Sequence, residues 1–322
     1  MVNEGTCAAV FPGQGSQRPG MGRDFFDQMP ESRRTFEEAA DALGWDVAAV
    51  CFSEDARLDL TEYTQPCLVT TEIAMLRGLA SRYGFAPSLF GGHSLGEFTA
   101  LVAAGALPFA ACLPIVQTRG RLMQQAVPAG AGAMTAVIAD ELTPEAIGSL
   151  IGGLTVDIAN INSSRQVVLS GEAGAIGQAE ERLRVSLNAP SLRFVRLNVS
   201  APFHSRLLEQ IGDPFRECLR ERAAALDPVR ARSVVSNYRG GYHSGSREEI
   251  LETLARQISN TVQWKENMRS LASRAATVWE IGPGRPLRDF FRTIGVPCIS
   301  LTTVAAAEKA FTAPEGAQEA RI

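Results

Sequence analysis

The sequence predicts an α/β protein with a parallel sheet, into which a smaller unit is inserted. Short apolar strands alternate with helical patterns over roughly the first 130 residues, which is typical of a parallel sheet covered by helices. Residues 131–199 follow the order β-α-β-β-α-β, which is the ferredoxin-like arrangement. Strands and helices alternate again from 200 to 303, so we expect the larger unit to consist of two separate stretches of chain.

The composition is that of an ordinary globular enzyme and argues against several other classes. Of the 322 residues, 45% are hydrophobic and 20% are charged, and the formal net charge of -4 does not suggest a nucleic-acid partner. The sequence contains no run of about 18 apolar residues, which is the length needed to cross a membrane. The first residues lack the basic and apolar stretches of a signal peptide. We expect a monomer that acts in the cytoplasm without binding membranes.

The six cysteines predict neither a disulfide framework nor a metal site. They lie far apart without any CxxC spacing, and the chain has only three histidines. Several stand in apolar runs, as Cys7 and Cys112 do. We interpret them as small buried hydrophobic residues in a reducing compartment.

The larger unit begins with two strands that each lead into a glycine-rich turn. The first strand is expected at 7–11 (CAAVF) and is followed by the loop 12–17 (PGQGSQ). The second is expected at 86–91, and the next five residues, 92–96, read GHSLG. A buried helix of small residues is then expected over 97–105, ending at glycine.

The GHSLG segment is the most informative motif, because G-x-S-x-G between a strand and a helix is the pattern of a nucleophile elbow. A serine hydroxyl is a weak nucleophile at neutral pH, and the sharp turn exposes it to substrate and base. Ser94 is therefore the candidate nucleophile. An ordinary structural turn is the alternative, since the chain contains 29 glycines.

The elements of the inserted unit and of the chain end can also be placed. Strands are expected at 133–139, 155–162, 166–171 and 191–199, with helices from 144 and over 173–187. Thr143 is placed as the N-cap of the first of these helices, with Pro144 in its first turn. The segment 304–322 is rich in alanine and polar residues, so we expect it to fray or to form a linker.

A serine nucleophile needs a base, and the three histidines are the candidates. His93 adjoins Ser94, so its side chain is expected to point away from the open face of the elbow. His243 lies in a glycine-rich loop and is interpreted as an exposed residue. His204 follows the last strand of the inserted unit, at a junction of the kind where ligand clefts often form. By elimination His204 is the candidate base, and the alternative is a packed histidine that closes the junction.

Five short motifs occur along the chain: GQGSQ at 13–17, GHSLG at 92–96, QTRG at 117–120, APFH at 201–204 and GPG at 282–284. In this order they resemble the malonyl-CoA:acyl-carrier-protein transacylase family, which includes the acyltransferases of fatty-acid and polyketide synthases. The resemblance runs from about residue 7 to about residue 302. Five ordered motifs are far more specific than one G-x-S-x-G.

The resemblance implies a role for each residue of a catalytic set. Ser94 would attack the malonyl thioester and become acylated, while His204 would take the serine proton and give it to the leaving thiolate. The backbone amides of Gln14 and Leu95 would form the oxyanion hole, in which one donor typically contributes about 3 kcal/mol. The backbone carbonyl of Gln257 would orient His204.

The resemblance also implies a substrate site. Arg119 would grip the free carboxylate of malonyl, because a guanidinium holds a carboxylate with two hydrogen bonds of fixed geometry. Phe203 would leave little room for an α-methyl group and so favour malonyl over branched extender units. Met123, Asn160 and Asn162 would line the same cleft. Without the resemblance, Arg119 reads as a solvated helix residue and each asparagine as an Asx turn.

The implied fold is an α/β-hydrolase-like large subdomain, residues 1–130 and 200–303, with a ferredoxin-like small subdomain at 131–199. The implied reaction transfers malonyl from malonyl-CoA to the phosphopantetheine thiol of an acyl carrier protein through a malonyl-serine intermediate. No bound cofactor or metal is expected. Four arginines are available to meet the acidic carrier: Arg193, Arg196, Arg285 and Arg288.

Several alternatives stay open. The chain could hydrolyse acyl-carrier thioesters on the same scaffold, transfer a different extender unit, or be a catalytically silent docking domain. The loop 13–17 could be a phosphate cradle or a plain turn, although it lacks the lysine of a P-loop. The pathway is either fatty-acid synthesis or a polyketide synthase served in trans, and segments 239–247 and 285–291 resemble the trans-acting enzymes.

Overall fold

The computed structural model describes residues 5–187 and 189–312. Within these residues the strands are β1 (Cys7–Phe11), β2 (Leu89–Gly92), β3 (Gly132–Ile138), β4 (Val156–Ser163), β5 (Gln166–Glu172), β6 (Arg193–Arg196), β7 (Val235–Ser236), β8 (Gly241–Tyr242), β9 (Thr277–Ile281) and β10 (Cys298–Leu301). The α-helices are α1 (Arg23–Gln28), α2 (Pro30–Leu43), α3 (Val47–Phe52), α4 (Thr61–Tyr83), α5 (Gly96–Ala103), α6 (Phe109–Gln125), α7 (Pro144–Ile151), α8 (Ala173–Ser186), α9 (Gly212–Glu221), α10 (Arg247–Arg256), α11 (Trp264–Ala272), α12 (Pro286–Arg292) and α13 (Val304–Phe311). In the ranges that are described, no helix combines the length and the apolar character needed to cross a membrane.

The sheet of the large subdomain is parallel, as the alternation of strands and helices predicts. Its order is β10-β9-β1-β2, with β1 paired to both β9 and β2. Almost every residue of β1 is buried, which is why its sequence is apolar throughout. Around the sheet, the mostly buried helix α4 packs against α2 and α6.

The parallel arrangement brings three of the five sequence motifs together at one edge of this sheet. The carboxyl ends of β1, β2 and β9 lead into the loop 13–17, the GHSLG turn and the GPG segment, respectively. The loop and the turn touch each other closely: a Cβ at Gly13 would lie 2.4 Å from the carbonyl oxygen of His93. Only glycine fits at that position, so the backbone of the loop can lie against the elbow.

The small subdomain has the ferredoxin-like arrangement that the sequence predicts. Its antiparallel sheet has the order β4-β5-β3-β6, and α7 and α8 pack on one face around their own apolar core. Thr143 stands at the N-cap of α7 as expected, although its side chain makes no capping hydrogen bond. The last strand is shorter than predicted, since only Arg193–Arg196 pairs with β3. The exact subdomain boundaries at 131 and 199 stay a prediction.

The chain end differs from the prediction of a frayed tail or linker from residue 304. Residues Val304–Phe311 form α13, whose N-cap Thr303 accepts a hydrogen bond from the amide of Ala306. Phe311 stacks on Trp279 with ring centroids 5.3 Å apart, so aromatic packing fixes the helix against the sheet. The prediction is wrong here because alanine favours helices and Thr303 supplies a cap. The rest of the predicted tail, 313–322, lies outside the described residues.

Candidate active site

Ser94 lies in a sharp turn between β2 and α5, where G-x-S-x-G predicts a nucleophile elbow. Its φ of 52° is in the left-handed region, which costs a non-glycine residue free energy unless its surroundings hold it there. The amide of Ser94 donates to Oδ1 of Asn237 at 3.2 Å. At Gly96, a Cβ would lie only 2.2 Å from the carbonyl oxygen of Phe11, so the turn is pressed against β1.

His204 is the base candidate that the structure brings to Ser94. Nε2 of His204 lies 2.7 Å from Oγ of Ser94, and Nδ1 lies 2.7 Å from the backbone carbonyl oxygen of Gln257. Since a carbonyl only accepts, Nδ1 carries the proton and donates it, which leaves the lone pair of Nε2 to accept from the serine hydroxyl. Like Ser94, His204 has a left-handed backbone, with φ of 57°.

The ring of His204 is held neutral. Burial first, and then the positive charge of Arg119, lower the pKa of His204 to about 3, against a smaller opposing effect of the bond to Gln257. The imidazole is therefore free to accept a proton throughout the neutral range. It becomes protonated, and so unable to act as a base, only in strong acid.

This low pKa predicts an unusually flat pH profile. We expect kcat/KM for acylation of Ser94 to stay nearly constant from pH 7.5 to pH 5. A histidine with an ordinary pKa near 6.5 would instead lose activity by about 30-fold at pH 5. The measurement is the acylation rate by quenched intact-mass spectrometry, with circular dichroism at each pH. The fold check matters because the unfolded chain binds a proton at His204 near pH 6.5, so acid lowers stability between pH 6.5 and about 3.

Arg119 projects from α6 into the same site and is 1% exposed. Its Nη2 donates to Oε1 of Gln257 at 2.8 Å and to Oγ of Ser94 at 3.1 Å. Burial lowers the pKa of Arg119 to about 10, with the charge of Glu97 opposing, so the guanidinium stays protonated at neutral pH. In the part of the chain that the structure describes, it forms no salt bridge, and its Nε is buried without a partner. A ligand carboxylate would supply the missing partner.

Two residues from different loops are the candidates for the oxyanion hole beside Ser94, through their backbone amides. Gln14 and Leu95 line the cavity around Ser94, as does Arg119. Neither amide donates a hydrogen bond to a protein acceptor within residues 5–187 and 189–312. The side chain of Gln14 is turned away and donates to Oγ1 of Thr61 at 3.1 Å, which fixes the loop. Both amides are thus available to an oxygen atom at the serine.

A cavity of about 350 Å³ lies between the two subdomains and includes the other predicted substrate residues. Met123, Asn160, Asn162 and Phe203 all line it, and each is at most 7% exposed. Side chains on the open face of the small sheet, such as Met134, make its far wall mostly apolar. Arg119 does not read as a solvated helix residue in this setting.

His93 does not point away from the site as expected. Its Nε2 lies 2.8 Å from Oδ1 of Asn162 in the small subdomain, and its ring lines the cavity. The prediction is wrong because Asn162 offers an acceptor on that side, while Nδ2 of Asn162 donates to Gln166 at 2.8 Å. Burial lowers the pKa of His93, although the hydrogen bond with Asn162 opposes this effect. The ring is therefore neutral, and its Nε2 donates to Oδ1 of Asn162.

A buried polar cluster behind the elbow was not predicted. Oε2 of Glu97 accepts from the amide and Nδ2 of Asn237, at 3.0 and 2.6 Å, and from Nε2 of Gln257 at 2.6 Å. Nδ2 of Asn237 also lies 2.8 Å from the carbonyl oxygen of Gly92. One signal was available: Glu97 is an acidic residue in a helix predicted to be buried, so it had to have partners.

His243 is also buried, so its interpretation as an exposed loop residue is wrong. Its side chain is 1% exposed, and Nε2 lies 3.0 Å from Oε1 of Glu97. The reason is that the β7–β8 hairpin folds back, and the amide of His243 donates to the carbonyl of Val234 at 3.0 Å. Glycines around His243 allow this tight return; they do not mark exposure.

Known proteins are similar to this chain in sequence and in architecture. The model of the acyl transferase domain family matches residues 9–288. The malonyl CoA-acyl carrier protein transacylase of Bacillus subtilis (strain 168) is 37% identical over 295 residues, covering 89% of this chain and 90% of that protein. Its counterpart in Escherichia coli (strain K12) is 36% identical over 291 residues, covering 89% and 92%.

Solved structures agree with the sequence relatives. The malonyl CoA-acyl carrier protein transacylase from Clostridium perfringens superposes with a TM-score of 0.88 at 32% identity, covering 98% of both chains. A malonyl-transacylase solved in complex with a type II PKS acyl-carrier protein gives 0.87 at 34% identity, covering 95% of this chain and 99% of that one. The chain therefore belongs to the malonyl-CoA:acyl-carrier-protein transacylase family of acyltransferases.

Proposed function

We propose that this chain transfers a malonyl group from malonyl-CoA to the phosphopantetheine thiol of an acyl carrier protein, through malonyl-Ser94. The observation that carries the proposal is the position of Arg119, a buried unpaired cation whose Nη2 lies 3.1 Å from the serine oxygen. In a malonyl thioester, one methylene separates the reacting carbonyl from the carboxylate. A carbonyl at Ser94 therefore places the carboxylate within reach of the guanidinium.

In the first half-reaction, Nε2 of His204 takes the hydroxyl proton of Ser94 as Oγ attacks the thioester carbonyl carbon. The carbonyl oxygen becomes an oxyanion that accepts hydrogen bonds from the amides of Gln14 and Leu95. The carbon–sulfur bond then breaks, and the proton on Nε2 passes to the departing coenzyme A thiolate. The carbonyl of Gln257 keeps the ring of His204 in the required tautomer throughout.

The second half-reaction runs the same steps in the opposite direction. Nε2 of His204 takes the proton of the carrier thiol, the sulfur attacks the malonyl ester, and Ser94 leaves with the proton. Arg119 holds the carboxylate in both halves, so the acyl group stays fixed while the two thiols exchange. Phe203, buried beside the site, is the residue that we assign to exclusion of α-branched acyl groups. Such exclusion is worth only about 1–3 kcal/mol per methylene.

The substrates proposed here are malonyl-CoA and a carrier-bound phosphopantetheine, and the steps above use no resident cofactor. Val195 of β6 and Phe290 of α12 both line the cavity, and Val195 is exposed. Arg193 and Arg285, on or beside these elements, are exposed and form no ion pair with any described residue. They are the arginines that we assign to the acidic carrier. All six cysteines are free, which fits a cytoplasmic reaction.

The experiment is a two-step mass measurement. The protein is first mixed with a panel of acyl-CoAs, and intact-mass spectrometry should show one malonyl group added to wild type and none to Ser94→Ala. When holo carrier protein is then added, the enzyme should lose the malonyl group and the carrier should gain it. If the malonyl-enzyme instead loses its acyl group to water before the carrier is added, the hydrolase alternative is correct.

A further inference from the structure

Glu97 and His243 form a buried pair that takes no part in the steps above. The side chain of Glu97 is fully buried and that of His243 is 1% exposed. Burial alone raises the pKa of Glu97, but the contact with His243 and the hydrogen bonds from Asn237 outweigh it and bring the pKa below its ordinary value. The carboxylate is therefore charged at neutral pH, deep inside the large subdomain.

Gln257 connects Glu97 to Arg119. Nε2 of Gln257 donates to Oε2 of Glu97 at 2.6 Å and to the carbonyl oxygen of Ser94 at 3.0 Å. These two bonds orient the amide of Gln257 so that its Oε1 faces Arg119, whose Nη2 donates to it at 2.8 Å. The side chain of Gln257 thus positions the cation, while its backbone carbonyl separately positions His204.

We propose that His243 and Glu97 are positioning residues for malonyl selectivity, acting on Arg119 through the side chain of Gln257. In this arrangement Nε2 of His243 lies 3.0 Å from Oε1 of Glu97, while the donors of Gln257 and Asn237 lie on Oε2. Without His243, the buried Oε1 would lose this polar contact, and the donors now on Oε2 would shift toward it. Gln257 would then release Arg119. The inference rests on the proposed function, because selectivity is defined only for an acyl-loading enzyme.

The test compares two substitutions of one residue. His243→Phe keeps a ring but removes the nitrogen that contacts Glu97, whereas His243→Gln keeps an N–H near the position of Nε2. We expect His243→Phe to lower the malonyl-to-acetyl ratio of Ser94 acylation rates by about tenfold. His243→Gln should recover most of that ratio. A purely structural residue would not change a ratio of two substrates measured on the same folded protein.

Tyr242→Phe is the matched control in the same hairpin. Its hydroxyl donates to the carbonyl of Ser270 at 3.4 Å, away from Glu97, so its removal should leave the ratio unchanged. Glu97→Gln is the second probe if His243→Phe does not fold. It keeps the size of the side chain, but a glutamine amide cannot accept from all the donors that now surround the carboxylate. Equal loss of malonyl and acetyl loading in these variants, or no loss, would overturn the inference. Failure of the wild type to load malonyl would instead refute the proposed function.

Discussion

His204→Ala is expected to lower the rate of Ser94 acylation by malonyl-CoA by about 10⁴-fold. Nε2 of His204 is the acceptor 2.7 Å from the serine oxygen, and the substitution leaves the serine proton with no base. The oxyanion amides and Arg119 belong to other elements, so binding of malonyl-CoA should change little and the loss should fall on kcat. Rapid-quench intact-mass spectrometry over a range of malonyl-CoA concentrations measures both quantities.

Gln257→Ala is the informative companion to this variant. It removes the side chain that contacts Arg119 but keeps the backbone carbonyl that accepts from Nδ1 of His204. We therefore expect acetyl loading to survive in Gln257→Ala and to be lost in His204→Ala. If His204→Ala acylates Ser94 within tenfold of wild type, another group is the base, and the assignment of His204 by elimination fails.

The fold could be predicted closely because its information is local. Strand β1 lies at the predicted residues, and the ferredoxin-like order follows from alternating patterns and turn residues along one stretch of chain. The errors occur where tertiary contacts decide the outcome. The stacking of Phe311 on Trp279 fixes a helix in a segment whose composition alone predicts a tail. Likewise, the pairing of β6 stops at Arg196, although the alternation continues to 199.

In the site, too, the residues in local turns could be predicted, and those joined by long-range contacts could not. Ser94, Leu95 and the loop of Gln14 stand next to glycines whose spacing predicts sharp turns, and parallel strands bring those turns to one edge. The cluster around Glu97 joins residues 140 and 160 positions apart in the chain, so no local pattern could indicate it. The interpretation of His243 as exposed is wrong for the same reason: a glycine-rich loop shows that the backbone turns sharply, not which side of the turn becomes buried.

Arg119→Ala is expected to reduce malonyl loading of Ser94 by about 10³-fold, because the carboxylate of the substrate loses its buried charged partner. Acetyl-CoA carries no carboxylate, so acetyl loading should be retained or even increased. An increase is expected because the charge of Arg119 is one cause of the low pKa of His204, and its removal makes His204 a stronger base. The rate of malonyl loading in Arg119→Lys should lie between those of wild type and Arg119→Ala, since an ammonium keeps the charge but cannot form two parallel hydrogen bonds to the carboxylate.

Arg121→Ala is the matched control, since Arg121 stands on the same helix but is exposed, and both substrates should load at wild-type rates. Equal loss of malonyl and acetyl loading in Arg119→Ala would contradict the carboxylate role. Thermal unfolding separates this role from a structural one. Without substrate, Arg119 is a buried cation that forms no salt bridge with the described residues, and such a charge opposes folding. Its removal should therefore leave the melting temperature unchanged or raise it, while malonyl loading is lost.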